Sequence, residues 1–176
     1  MGRLYYITGG AGSGKSEYAE QLAERLHAEL AGPLYYVATM NPAPRDSDAA
    51  ARIAKHQTRR AGRGYTTIEC PTDIAQLRTQ ASKNAVFLLE DLTNLYANEV
   101  YGTSGHPHEI VAPLLELAQQ GGALIIAANE LYSDGITYAP ETATFLRDLA
   151  GLAAELSTAA DQVTEVVYGI PVQLKA

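Results

Sequence analysis

The stretch Leu4-Tyr5-Tyr6-Ile7-Thr8-Gly9-Gly10-Ala11-Gly12-Ser13-Gly14-Lys15-Ser16 decides the architecture. Its first four residues are apolar or aromatic and read as a buried strand, and residues 9–16 fit the phosphate-loop pattern G-x-x-x-x-G-K-[ST]. Residues 16–30 follow as a helix, with apolar positions at Tyr18, Ala19, Leu22, Leu26 and Leu30. Strand, loop and helix in that order turn the loop's backbone N–H groups inward, where they cradle phosphate. Lys15 is then placed to reach the β- and γ-phosphates, and the Ser16 hydroxyl to ligate Mg²⁺. The helix N-terminus adds partial positive charge at the same point. A nucleotide is therefore the first ligand this sequence implies.

Working outward, residues 34–39, 85–89 and 123–128 are further strand-length apolar runs, and 65–69 reads as another strand. Helical patterns cover 47–60, 72–81, 94–100, 109–119 and 141–159, and strands are expected at 163–168 and, as a short edge, at 172–174. Strands that alternate with helices imply a three-layer α/β fold with a mostly parallel sheet. The 176 residues suit a single domain spanning 1–176. In such sheets ligands lie beyond the carboxyl ends of the strands, which selects Thr8, Thr39, Glu69, Glu90 and Asn129 by position.

Composition narrows the function classes. No apolar run reaches membrane-spanning length and no basic-then-apolar leader precedes the loop, so a soluble, cytoplasmic, unprocessed protein is expected. One cysteine, Cys70, allows no intrachain disulfide, and the four histidines lack metal-ligand spacing. A formal charge of −7 argues against a nucleic-acid partner.

Two elements carry chemistry besides the loop. Glu90, at the end of an apolar run, is placed like the second acidic element of phosphate-loop enzymes that holds Mg²⁺, with Asp91 its competitor. In Arg52-Ile53-Ala54-Lys55-His56-Gln57-Thr58-Arg59-Arg60, helical spacing puts Arg52, His56 and Arg60 on one face. Cations around a histidine keep it neutral and able to attack phosphorus, while a basic helix face with an incidental histidine has the same spacing. Tyr5, Tyr6, Tyr35 and Tyr36 read as packing residues, and Tyr65 and Tyr96 as the tyrosines available to a ligand.

The ordered set of these motifs resembles the bifunctional adenosylcobinamide kinase/adenosylcobinamide-phosphate guanylyltransferase family of cobalamin biosynthesis. The resemblance is carried by Ile7-Thr8-Gly9-Gly10-Ala11 with Ser13-Gly14-Lys15-Ser16, Tyr36-Val37-Ala38-Thr39, Arg52-Ile53 with His56 and Arg60, and Glu69 before Pro71. It continues through Leu92-Thr93 with Asn98, Asn129-Glu130, Arg147-Asp148 with Gly151, and Gly169-Ile170-Pro171 with Lys175. It implies a RecA-like phosphate-loop NTPase fold, a homotrimer, Mg²⁺, GTP and ATP as substrates, and adenosylcobinamide and its phosphate as acceptors.

By the same resemblance, His56 accepts GMP and Lys15 serves phosphoryl transfer. The nucleotide contacts fall on Gly9, Gly10, Ala11, Gly12, Ser13, Gly14, Lys15, Ser16, Ala38, Thr39, Met40, Gln57, Thr58, Arg59, Arg60, Glu69 and Glu90, and the metal contacts on Ser16 and Glu90. The chain departs from the family pattern at Gly12, Asp91 and Tyr65, in the longer loop 131–138, and at Ala154-Glu155. Two other functions fit the motif: a kinase for a different small alcohol, and a nucleotide-binding regulatory subunit without turnover.

Overall fold

The computed structural model describes residues 2–40, 54, 58, 60–102 and 109–176. The strands are β1 (Arg3–Gly9), β2 (Leu34–Ala38), β3 (Tyr65–Glu69), β4 (Val86–Glu90), β5 (Ala123–Asn129), β6 (Gln162–Val167) and β7 (Ile170–Lys175). They form a seven-stranded sheet in the order β3-β2-β4-β5-β1-β6-β7, parallel except for the antiparallel pair β6 and β7. β5 lies between the strand that feeds the glycine-rich loop and the strand that ends in Glu90. The helices are α1 (Lys15–Leu30), α2 (Leu92–Tyr101), α3 (Val111–Gln120) and α4 (Pro140–Ala159).

Period-two alternation sends the side chains of the central strands to two cores. Tyr5 and Ile7 of β1, Val86 and Leu88 of β4, and Ile125 of β5 pack against Ala19, Leu22, Ala23 and Leu26 of α1. Leu4 and Tyr6, Phe87 and Leu89, and Leu124 and Ile126 face the opposite way, against Leu92 and Leu95 of α2, Leu114 and Leu117 of α3, and Leu152 and Leu156 of α4. Strands covered on both faces read as unbroken apolar runs, and β4 and β5 are nearly solvent-free up to their last residues, Glu90 and Asn129.

Residues 74–80 differ from the expected α-helix: Ile74–Gln80 is a 3₁₀ helix. Its two buried side chains, Ile74 and Leu77, are three residues apart, which matches three residues per turn. The last strand also differs, running the full Ile170–Lys175 with every residue exposed. Pro171 suits that position, since an edge strand leaves alternate N–H groups without a ladder partner.

The strand ends are fastened to one another. Thr39, fully buried, donates its hydroxyl to the Asp91 carbonyl and accepts from the Asp91 N–H, both at 2.8 Å. Asn98 of α2 donates to the carbonyls of Thr39 at 2.7 Å and Pro71 at 2.9 Å. Cys70, just past β3, is buried, its N–H donates to the Ala38 carbonyl at 2.9 Å, and burial pushes its thiol up to about 11.

An ion network holds the segment before β3 against α1. Glu20, 1% exposed, pairs with Arg63 at 3.2 Å and lies 3.9 Å from Arg60, while Arg63 also pairs with Glu24 at 2.8 Å. The Tyr65 hydroxyl donates to the Glu20 carbonyl at 3.2 Å. Removing the buried anion leaves buried cationic charge uncompensated, so Glu20→Ala is expected to cost about 3 kcal/mol. A urea titration checks this: the midpoint falls and the slope is unchanged.

Candidate nucleotide site at the carboxyl edge of the sheet

The glycine-rich loop holds its shape through close backbone approach. Gly9 has φ +152°, and a Cβ there would come within 2.5 Å of the Val166 carbonyl oxygen. Gly14 has φ +94°, and its Cβ would lie 3.2 Å from the Gly169 Cα. Only glycine fits both conformation and space at these two points. Gly14, at the N-cap of α1, has no side chain to offer the first N–H groups of that helix.

Lys15 is 7% exposed and donates to the Gly10 carbonyl at 3.2 Å. Burial pulls its ammonium below the ordinary lysine value, opposed by the carboxylates of Asp91 and Glu90. The Ser16 hydroxyl donates to Glu90 Oε1 in a very short contact, and the Tyr36 hydroxyl donates to Glu90 Oε2 at 3.2 Å. Asp91 is committed elsewhere: Oδ1 caps α2 by accepting from the Asn94 N–H at 2.7 Å, and Oδ2 accepts from the Asn129 side chain at 2.9 Å. Burial raises the Asp91 carboxyl above its usual range, the Asn94 hydrogen bond works against this, and the Glu90 charge adds to it. Of the two acids at the end of β4, Glu90 is the one beside Ser16.

These residues open onto a cleft of about 240 Å³ lined by Ala11, Gly12, Lys15, Ser16, Tyr36, Ala38, Met40, Arg60, Thr67, Glu69, Glu90, Asp91, Asn94 and Asn129. The Arg60 guanidinium carbon lies 3.3 Å from the centroid of the Tyr36 ring. Its Nε and Nη1 are buried without a hydrogen-bond partner, because Glu20 at 3.9 Å is too far for one. A buried guanidinium with unused donors at a cleft wall is suited to an anion.

The expected contacts thus divide four ways. Ala11, Gly12, Lys15, Ser16, Ala38, Met40, Arg60, Glu69 and Glu90 line the cleft. Gly9, Gly10, Ser13, Gly14 and Thr39 shape the loop and strand end behind it, whereas Thr58 is exposed and donates to the Ala54 carbonyl at 2.9 Å. His56, Gln57 and Arg59 lie outside the described residues.

Tyr36, read as packing, is a buried member of the core against α1 and also lines the cleft, its hydroxyl donating to Glu90, while Tyr65 is turned to α1 through Glu20 and Tyr96 lines a separate groove with Phe145. Thr67 and Asn94 also line the cleft without having been singled out in the sequence. Thr67 sits two residues before Glu69 on the same strand face, which was the available signal. Among the described residues no helix is long and apolar enough to cross a membrane, and no group of three or more His, Cys, Asp or Glu could hold a metal ion.

Comparison with known proteins gives the fold and the family. Solved structures give the fold: the flagellar accessory protein FlaH from Methanocaldococcus jannaschii matches with a TM-score of 0.54 at 13% identity, covering 98% of this chain and 78% of that one. A second solved structure, of an ATPase domain, matches with a TM-score of 0.52 at 10% identity, over 93% of this chain and 68% of that one. The fold is that of a RecA-like phosphate-loop NTPase. In sequence, the bifunctional adenosylcobalamin biosynthesis protein CobP of Pseudomonas aeruginosa is 30% identical over 175 residues, covering 96% of this chain and 95% of its own. The bifunctional adenosylcobalamin biosynthesis protein CobU of Escherichia coli K12 is 30% identical over 188 residues, covering 98% and 99%. The profile described as cobinamide kinase / cobinamide phosphate guanyltransferase matches residues 5–174, from the first buried strand to the last, and the chain belongs to that family of transferases.

Proposed function

We propose that the cleft binds a nucleoside triphosphate and serves two transfers: phosphorylation of adenosylcobinamide, and guanylylation of the resulting phosphate. The observation that carries this reading is the pairing of Ser16 with Glu90 beside the buried Lys15, at the mouth of the phosphate loop. In the kinase step the acceptor hydroxyl attacks the γ-phosphorus in line and the bond to the β-phosphate oxygen breaks. Lys15 and the loop's N–H groups hold the β- and γ-oxygens through this step. Arg60, with its unused donors, is placed to bind a further phosphate oxygen.

The donor set also fits Mg²⁺. One hydroxyl and one carboxylate oxygen, adjacent at Ser16 and Glu90, make the sparse hard-oxygen arrangement that this ion completes with water and substrate phosphates. When bound there it would offset charge on the β- and γ-oxygens.

For the second transfer, His56 is assigned the nucleophile from its motif and its cationic neighbours in sequence, Arg52, Lys55, Arg59 and Arg60. Neutral imidazole attacks the α-phosphorus of GTP, a P–N bond forms and pyrophosphate leaves. The phosphate of adenosylcobinamide phosphate then displaces the histidine, and the imidazole is released neutral. A cytoplasmic homotrimer belongs to the same proposal, on the resemblance alone.

Two outcomes test the reading. Lys15→Ala is expected to weaken GTP and ATP binding by at least about tenfold and to abolish phosphoryl transfer, in a protein with unchanged circular dichroism. Calorimetric titration and a turnover assay check it, and full affinity in the folded variant would remove the phosphate-loop assignment.

Incubation with α-labelled GTP is expected to leave one GMP per chain, read by intact mass, through a bond labile to acid and stable to alkali. His56→Asn should abolish the adduct and spare the kinase step. Persistence of the adduct in that variant, or its absence from a wild-type protein that binds GTP, would refute the guanylyl-histidine step.

A further inference from the structure

Beyond β5 the chain leaves the cleft at Asn129 and runs through residues 130–139 to α4. Large apolar side chains stand exposed along that segment: Leu131 at 38%, Tyr132 at 37%, Ile136 at 62% and Tyr138 at 37%. Single exposed apolar residues are ordinary, but a cluster beside a ligand site marks an interaction surface. The segment is also fastened. Glu130 accepts from the Tyr132 N–H at 3.1 Å and from the Ser133 hydroxyl at 2.7 Å, Asp134 accepts from the Ile136 N–H at 2.9 Å, and the Tyr138 hydroxyl donates to Asp134 as well.

A groove of about 320 Å³ opens between this segment and α4, lined by the apolar Leu131, Tyr138 and Leu146 and by Glu130, Ser133 and Asp134. It begins one residue from the cleft. Asn129 lines the cleft and Glu130 the groove, a single Cα step of about 3.8 Å. Residues 129–146 hold the carboxylates of Glu130, Asp134 and Glu141 and no lysine, arginine or histidine. Such a groove repels the phosphates of a nucleotide and suits a ligand that is apolar at its edge and positively charged.

We propose that this groove seats the ring of the acceptor, whose hydroxyl-bearing arm reaches past Asn129 into the cleft. The inference rests on the acceptor reading above. Adenosylcobinamide has both properties the groove asks for: its corrin ring is planar with methyl groups at the edge, and its metal centre carries a net positive charge. Triphosphate and ring then occupy neighbouring sites that meet at Asn129. Residues 131–138 are also where the chain departs from the family pattern, so the seat is built from side chains particular to this chain.

The test measures dissociation constants of GTP and of three corrinoids for the full-length wild-type protein, Leu131→Lys and Leu131→Met, with a non-hydrolysable GTP analogue present for the corrinoids. Leu131→Lys puts a cation in the groove and removes apolar surface, whereas Leu131→Met keeps that surface. Leu131→Lys is expected to weaken adenosylcobinamide by about tenfold and to leave GTP unchanged, while Leu131→Met retains wild-type values for both. In the wild-type protein, positively charged aquacyanocobinamide is expected to bind more tightly than neutral dicyanocobinamide, and added salt should narrow the gap.

Unchanged adenosylcobinamide affinity in Leu131→Lys would overturn the seat and leave the acceptor reading standing. If that variant also lost oligomeric mass in sedimentation, the groove would belong to a second copy of the chain. Parallel loss of GTP would overturn the seat too, because the residue would then act through the shape of the cleft, and so would equal affinity for the two cyano forms, since charge selects this occupant. A wild-type protein that binds GTP but neither binds nor phosphorylates adenosylcobinamide would overturn the acceptor reading and the seat together.

Discussion

The parallel register of the central strands is the constraint on which the site depends. Glu69, Ala38, Glu90, Ala127, Ile7 and Thr164 are consecutive partners across β3, β2, β4, β5, β1 and β6, forming one row of the sheet. The strands end at that row or shortly beyond it, and the ends of β2, β3, β4 and β5 supply residues that line the cleft. A slip of one residue in any pairing would exchange the two faces of that strand and drive apolar side chains toward solvent. The two cores therefore fix the register, and the register brings Glu90 to Ser16 across distant parts of the chain.

Charge in the cleft is only partly paired among its own side chains. Glu90 and Asp91 share one partly desolvated ammonium, Lys15, and their carboxylates partly restore the ammonium that burial disfavours. Arg60 lies on the Tyr36 ring with donors unused, and its ion pair with Glu20 is a long one. Tyr36 thus touches both signs of charge, through its face to Arg60 and its hydroxyl to Glu90, and burial raises that hydroxyl well above the ordinary tyrosine value. It stays a donor at neutral pH, which suits a neighbour that only accepts.

Much of this was legible in the amino-acid sequence because it rests on local pattern. The glycine loop, the apolar runs of β1, β4 and β5, and the acid ending β4 are signals within a few residues, and the fold rules order them. Position and the family resemblance put Glu90 ahead of Asp91, but what holds Asp91 away was not legible. Asp91 is claimed by Asn94 and Asn129, and the Asn129 contact crosses from one strand end to another. Tyr36 was hidden for a related reason: an aromatic within an apolar run reads as core, and its role appears only when Arg60 is laid over it. The 3₁₀ helix turned on the spacing of Ile74 and Leu77 alone, too short a pattern to separate from an α-helix. His56 drew its role from motif and charge pattern, and its setting lies outside the described residues.

Cys70 has a consequence for how motion at this edge of the sheet could be followed. Its thiol is fully buried behind the end of β3, next to Pro71, to which Asn98 of α2 is hydrogen-bonded. Burial pushes the thiol up to about 11, so it is protonated at neutral pH, and the shielded sulfur meets almost no reagent. Alkylation therefore waits for the chain around residue 70 to open, and its rate is a clock for that opening. Because the Cys70 N–H is bonded to the carbonyl of Ala38, a cleft residue, a nucleotide that tightens the strand ends would slow the clock without ever touching the sulfur.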